Sequence, residues 1–202
     1  EIGSGLVGSE MCIRDRLSIS LSSIKQYYDE KYDRGNFIKN IILDNILPGD
    51  IYIKSRELHF GNDVPRVVFL VRQQAPADVA AIDVVNGMFP DKQKDFVLHI
   101  SETDIVVVKE VKAGSEIKDL IKLADSIEET LLSELSVKCL IGIGSVSSQM
   151  KDIAKSFKEA TTAIEVGAVF DTEKNIISFE NLGIGRLIYQ LPITLCLLYT
   201  SP

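Results

Sequence analysis

Residues Val137 to Pro192 read VKCLIGIGSVSSQMKDIAKSFKEATTAIEVGAVFDTEKNIISFENLGIGRLIYQLP. The apolar run Cys139, Leu140, Ile141 and Ile143 predicts a buried strand over 137–145, with Gly142 and Gly144 inside it. From Met150 to Phe170 the period changes: Ile153, Ala154, Phe157, Ala160, Ile164 and Gly167 recur at helical spacing and predict one amphipathic helix. Ile176 to Phe179 predicts a short strand, and Leu182, Gly183, Gly185, Arg186 and Leu187 close the stretch. Strand, helix and strand in this order form a βαβ unit, and none of these residues looks catalytic.

Working outward, Ile117, Leu120, Ile121, Ala124, Leu131, Leu132 and Leu135 form a long apolar helical stripe, with Ser115 placed to cap it. Before it, Asp95 to Ile100 and Ile105 to Val111 are two strands around the turn Ser101-Glu102-Thr103-Asp104, a hairpin. Val64 to Arg72 (VPRVVFLVR) is continuously apolar, the mark of a strand buried on both faces. Pro76 suits the start of the next helix, whose inner face is Val79, Ile82, Val85 and Met88. The order is βαββαβ, then a further helix and strand. It predicts an α+β fold: a ferredoxin-like split unit with a mainly antiparallel sheet and its helices on one face. Leu21 to Leu47 predicts a helical lead-in, interrupted at Gly35 and Asn36 and stopped by Pro48 and Gly49. Asp50 is placed to cap a short helix from Ile51 to Phe60, and Gly61 to close it in the left-handed conformation.

GIGSV (Gly142 to Val146), SFKEA (Ser156 to Ala160) and ENLGIGRLIYQLP (Glu180 to Pro192) resemble the central domain of CdaR/PucR-type carbohydrate-diacid regulators, which are bacterial transcription factors. The resemblance covers residues 21–192. It implies a degenerate relative of the GGDEF nucleotide-cyclase fold that relays signals, supports self-association as a homodimer, and is not an enzyme. It divides the chain into a helical lead-in at 17–62 and a GGDEF-like regulatory domain at 63–192. In such proteins an N-terminal domain recognises the effector, often a sugar diacid, and a C-terminal helix-turn-helix domain binds DNA. Both are expected to be missing from this chain, so effector and DNA are partners only through them. The alternative is a small-molecule or nucleotide-binding sensor that keeps a ligand in the degenerate cyclase cleft.

The same resemblance places the cyclase signature at the hairpin turn, where two glycines let the backbone approach a nucleotide and an acid helps hold metal. Here the stretch is His99-Ile100-Ser101-Glu102-Thr103-Asp104-Ile105. Ile100 and Ser101 stand where the glycines would be, and their Cβ atoms would obstruct that approach. Glu102 keeps an acid, but Thr103 replaces the next one. A metal-binding aspartate is also implied near the first strand. Val67 to Arg72 has no carboxylate; the nearest are Asp63 and Asp78, and the cation Arg72 ends the strand. Phosphoryl transfer needs carboxylates to hold divalent ions, so cyclase activity is not expected, and Glu102 and Asp104 read as solvated turn residues.

Other chemistry finds no better footing. His59 suits a helix C-terminus, His99 lies in a strand, and neither has a Cys or His at metal-ligand spacing. No G-x-S-x-G nucleophile motif is present. Gly142-Ile143-Gly144 lacks the third glycine and the acid of a dinucleotide fingerprint; it reads as close packing and a turn, and Gly183-x-Gly185 as a turn. The expectation is no catalytic, cofactor-binding or metal-binding residue, and no cofactor.

The chain carries 22 basic and 29 acidic residues, a net charge of −7. Gly5 to Arg16 (GLVGSEMCIRDR) and Cys196 to Pro202 (CLLYTSP) resemble translated sequencing-adapter read-through, as at the ends of metagenomic gene fragments. Residues 1–16 are accordingly expected to be a disordered artefact, and 193–202 an artefact or truncated tail. Without 1–16 the chain loses two basic and three acidic residues, and the balance becomes −6. Scattered acidic charge is a poor grip for nucleic-acid phosphates. Cys12 and Cys196 fall in the foreign ends, which leaves Cys139 as one buried thiol, too few for a disulfide framework or metal cluster. A reducing cytoplasm fits. No apolar run reaches the roughly 18 residues of a membrane span, so no membrane contact is expected. Tyr27, Tyr28 and Tyr32 lie near Lys25, Lys31 and Arg34, but Asp29, Glu30 and Asp33 work against a basic patch. Leu21 to Leu47 is expected instead to form a helical dimer or inter-domain contact.

Overall fold

The computed structural model describes residues 20–25, 32–74, 79–112, 114–170, 174–183 and 185. The predicted features at Gly5 to Arg16, Tyr27, Tyr28, Pro76, Asp78 and 186–202 lie outside them. The chain divides into two units, residues 1–38 and 39–202. The first is helical in its described part, at 20–25 and 32–38. Helix α1 spans 32–42 and runs unbroken through Gly35 and Asn36, against the expected interruption there. An interior glycine costs only about 1 kcal/mol relative to alanine. Phe37, Ile38, Ile41 and Ile42 are all buried, and that burial outweighs the cost. The helix closes on Asp44, at φ 60°. The Asp44 and Asn45 N–H groups donate to the carbonyls of Ile41 and Asn40, at 3.0 and 2.9 Å, which is the Schellman pattern.

Pro48 begins a helix instead of only stopping one. Helix α2 is Pro48–Glu57, with Leu47 as its N-cap. A proline in the first helical position lacks an N–H that would have had no partner there. Asp50 therefore lies within the first turn, near the positive end of the dipole, and makes no cap. The left-handed closing residue is His59, at φ 57°, not Gly61. Phe60 N–H donates to Ser55 O at 2.8 Å, and His59 N–H to Arg56 O at 3.2 Å. At Gly61 a Cβ would come within 2.5 Å of Val64 Cγ2, so the valine side chain would have to shift.

The core follows as β1 (Arg66–Gln73), α3 (Val79–Met88), β2 (Phe96–His99), β3 (Asp104–Glu110), α4 (Ile117–Leu135), β4 (Cys139–Ile143), a 3-10 turn (Met150–Asp152), α5 (Ile153–Phe170) and β5 (Ile176–Ser178). The strands form one sheet in the order β2-β3-β1-β4-β5. β1 is antiparallel to β3 and β4, and β2 is antiparallel to β3. These four strands reproduce the expected ferredoxin-like split unit. β5 then pairs parallel with β4 at the edge, after the crossover through α5.

The helices cover both faces of the sheet, not one. Val67, Phe69 and Val71 share a core with Ala81 and Val85 of α3, Ala124, Ile127 and Leu131 of α4, and Ile141 and Ile143 of β4. Side chains alternate along a strand, so Gly142, between Ile141 and Ile143, points the other way. There it meets Ala160 and Ile164 of α5. The reason lies in β1: every residue from Arg66 to Val71 is buried, so both faces need a cover. Fully burying a side chain such as Phe69 contributes about 2–3 kcal/mol. Ala163, Ile177 and Phe179 form a smaller cluster joining α5 to β5.

The α4 stripe differs in detail from its expected form. Leu120, Ala124, Ile127 and Leu131 are its buried residues, and Leu132 is 48% exposed. Ser115 does not cap the helix. Its hydroxyl donates to Lys112 O at 2.9 Å, and Glu116 occupies the N-cap without a side-chain bond. Among the described residues no helix is long and apolar enough to cross a membrane.

Candidate functional site

The place where cyclase chemistry would sit is the end of β1 beside the β2–β3 turn. That turn is tightly closed. Ile100 N–H donates to Asp104 O at 3.1 Å, and Asp104 N–H is received by both the carbonyl and the hydroxyl of Ser101, at 3.3 and 3.1 Å. Glu102 is exposed at the tip. Asp104 is not the solvated turn residue its sequence position suggests. Its side chain is 17% exposed and accepts two bonds from Arg72, from Nε at 2.9 Å and Nη2 at 3.1 Å. The strand register places the two residues directly opposite each other. The hydrogen bond from Arg72 to Asp104 raises the guanidinium pKa; burial opposes this, and the charges of Asp104 and Glu165 reinforce it. The half-buried acid at this corner is thus already neutralised by a permanent cation. A divalent ion placed there would face the guanidinium at close range.

Among the described residues, no hydrogen bond or ion pair ties the side chains of the remaining candidate groups to the Arg72–Asp104 pair. Asp63 is exposed before β1. His59 is exposed at the end of α2. His99 is exposed in β2, and its carbonyl accepts a 2.9 Å bond from Lys39 Nζ. Among the described residues there is no group of three His, Cys, Asp or Glu side chains able to hold a metal ion.

A second polar site lies where β4 runs into α5, and the sequence reading did not single it out. It is a cavity of about 240 Å³ walled by Ser145, Ser147, Asp152, Lys155, Ser156 and Glu159, among others. The carboxylate of Glu159, whose side chain is 12% exposed, accepts bonds from the Ser145 N–H at 3.0 Å and from the Ser145 hydroxyl. Ser156 is buried; its hydroxyl donates to Ser145 O at 2.8 Å and accepts from Val68 N–H at 3.2 Å. Ser147 exchanges backbone bonds of 2.7 and 2.8 Å with Arg66. A signal was present in the sequence, a serine-rich loop directly after an apolar strand, but serines in a loop ordinarily mark only a turn.

This joint brings GIGSV and SFKEA together. A Cβ on Gly142 would strike the carbonyl oxygen of Ala160, and one on Gly144 would strike that of Ser156. Ser145 and Glu159 make the third contact of the series. The two glycines therefore serve close packing of α5 on β4, as their spacing suggests. Gly183, at φ 54°, likewise lies in a turn after the 3-10 segment.

A five-stranded, mostly antiparallel sheet on a split βαββαβ core, with its key corner at the β2–β3 turn, defines an α+β domain of the cyclase type. The GGDEF-like domain family matches residues 45–166, more than half of the chain, and the chain belongs to that family. No curated protein matches the chain.

Proposed function

We propose that this is the central signal-relay and self-association domain of an effector-responsive bacterial transcription regulator of the sugar-diacid (CdaR/PucR) type, with no enzymatic activity of its own. The observation that carries the non-enzymatic part is the Arg72–Asp104 pair. A cation stands at the end of the first strand, and it consumes the half-buried acid of the hairpin. Ile100 and Ser101 add side chains where a nucleotide would need bare backbone. The regulator part is supported by the three resembling motifs, two of which, GIGSV and SFKEA, lie inside the family match. In this role residues 17–62 are the lead-in and 63–192 the regulatory domain. The domain works in the cytoplasm, and effector and DNA are contacted by domains on either side. GTP incubated with the protein and magnesium is expected to give no cyclic product; turnover would overturn the non-enzymatic reading. In the intact gene a helix-turn-helix is expected after Pro192, and a different domain there would overturn the regulator role.

A second reading, a small-molecule sensor, is favoured by the cavity at the β4–α5 joint. Exposed Ser148 and Lys155 line it with Asp152, beside the Glu159 carboxylate that holds Ser145, a set suited to a polar or zwitterionic metabolite. Thermal-shift measurements against nucleotides and sugar acids separate the two: a ligand that raises the melting temperature supports the sensor, and no shift from any of them supports the relay.

A further inference from the structure

Helix α2 is anchored by little. Ile51 and Ser55 are its buried residues. On the opposite side stands Ile53, 56% exposed, with Tyr52 at 58% one position before it along the helix and Leu47 at 73% at the N-cap. Large apolar side chains left exposed along one short helix mark a candidate contact with another molecule. Gly49 lies one turn before Ile53 on the same side, and a Cβ added there would meet nothing within 4 Å. The outer face of α2 is thus a bulky residue beside a gap. Charge flanks it on both sides: Asp50 lies three residues before Ile53, and Arg56 three residues after. Both are exposed, and among the described residues neither has an ion-pair partner within the chain.

We infer that this face of α2 binds a second copy of the chain, with two α2 helices antiparallel about a two-fold axis at Ile53. The argument is complementarity. A two-fold interface must be complementary to itself, residue i meeting j while j meets i. An antiparallel pair centred on Ile53 sets Asp50 of each copy against Arg56 of the other, twice over. It brings Ile53 against Ile53, with the gap at Gly49 leaving room for the helices to approach. It also opposes the two helix dipoles, and the acid-first, base-last order of α2 supports that arrangement. An unrelated partner would not need charges arranged symmetrically about one apolar residue. The inference rests on the self-association in the reading above, but places it on α2 and not on residues 21–47.

Sedimentation velocity of the full chain across a concentration series, under reducing conditions, tests this. The wild type is expected to dimerise. Asp50→Arg and Arg56→Asp should each weaken the dimer about tenfold or more, by setting like charges across the axis. An equimolar mixture of those two variants re-pairs opposite charges and should restore association to near the wild-type level. Circular dichroism confirms that the variants fold, which is expected because both sites are exposed. A dimer whose affinity ignores both substitutions and the mixture overturns the α2 interface while leaving self-association intact. A monomer at every concentration overturns both, and leaves the α2 face to a different partner.

Discussion

Arg72 and Asp104 face each other across the β1–β3 ladder, joined by two bonds of 2.9 and 3.1 Å from one guanidinium to one carboxylate. Fork-to-fork geometry fixes the angle between the groups as well as the distance. The pair therefore clamps the mouth of the hairpin to the end of the central strand. The Gln73 N–H adds a 2.9 Å bond to Thr103 O in the same place. The corner to which the resemblance assigns the cyclase signature is here spanned by bonds from protein to protein.

Arg72→Ala and Asp104→Ala should each lower unfolding stability by about 1 kcal/mol, since both side chains keep some solvent contact. The double variant should cost less than the sum, with a coupling of about 0.5–1 kcal/mol in a denaturant double-mutant cycle. Millimolar magnesium should leave the melting temperature of the wild type unchanged, because an ion that does not bind cannot stabilise. A magnesium-dependent rise would mean that carboxylates at this corner remain free to ligate.

Gly142→Ala and Gly144→Ala should both destabilise, by about 1–3 kcal/mol or more. In each case the added methyl meets a backbone carbonyl of α5, which cannot rotate aside as a side-chain end can. Gly87→Ala, in open space on α3, serves as the matched control and should be neutral or slightly stabilising. Urea unfolding of the three variants checks the contrast. If Gly142→Ala and Gly87→Ala behaved alike, the close approach of α5 to β4 would be wrong.

Along α4, Ile127→Ala should cost about 2–5 kcal/mol, while Leu132→Ala should cost well under 1 kcal/mol. Ile127 is fully buried in the core shared with β1, and Leu132 is 48% exposed. Thermal melts of the two variants distinguish the faces directly.

That pair of residues also shows what could be read in the sequence. Helical periodicity identified α4 and most of its inner face. It placed Leu132 on the stripe and passed over Ile127, which is the fully buried one, because a stripe of apolar positions is broader than the face a sheet covers. The order of strands was legible for a similar reason: each is a compact apolar run bounded by turns. That helices lie on both faces is a property of the assembled sheet, and VPRVVFLVR hinted at it only through its lack of alternation. Helix ends were the weakest point. Gly61 and Ser115 are the residue types that favour caps, yet His59 and Glu116 take those places. About 1 kcal/mol in capping preference yields to packing. At the candidate site, the missing acids and glycines were visible as residue types. The partnership of Arg72 with Asp104 was not, since it joins positions 32 residues apart through strand register.

Cys139 offers a test of the core that needs no disruption of packing. Its side chain lies in β4 with the residue 1% exposed, and burial pushes the thiol up to about 12, with the negative charge of Glu128 adding to the effect. The thiolate is the reactive form, so Cys139 should stay unmodified by iodoacetamide at pH 8 in the folded protein and react once urea unfolds it. Peptide mass spectrometry separates it from Cys12 and Cys196. The same shift sets a pH dependence. The folded-state pKa is raised above its ordinary value of 9.0, so the unfolded chain loses this proton first. The stabilisation is fully present below pH 9 and drains away between pH 9 and about 12, by at most roughly 1.4 kcal/mol per pH unit. Lysines and tyrosines titrate in that window too, so the measurement is a difference: urea stability of the wild type and of Cys139→Ala, both followed from pH 8 upward. The wild type should fall more steeply with pH, and parallel curves would show that the thiol is not enclosed in the folded sheet.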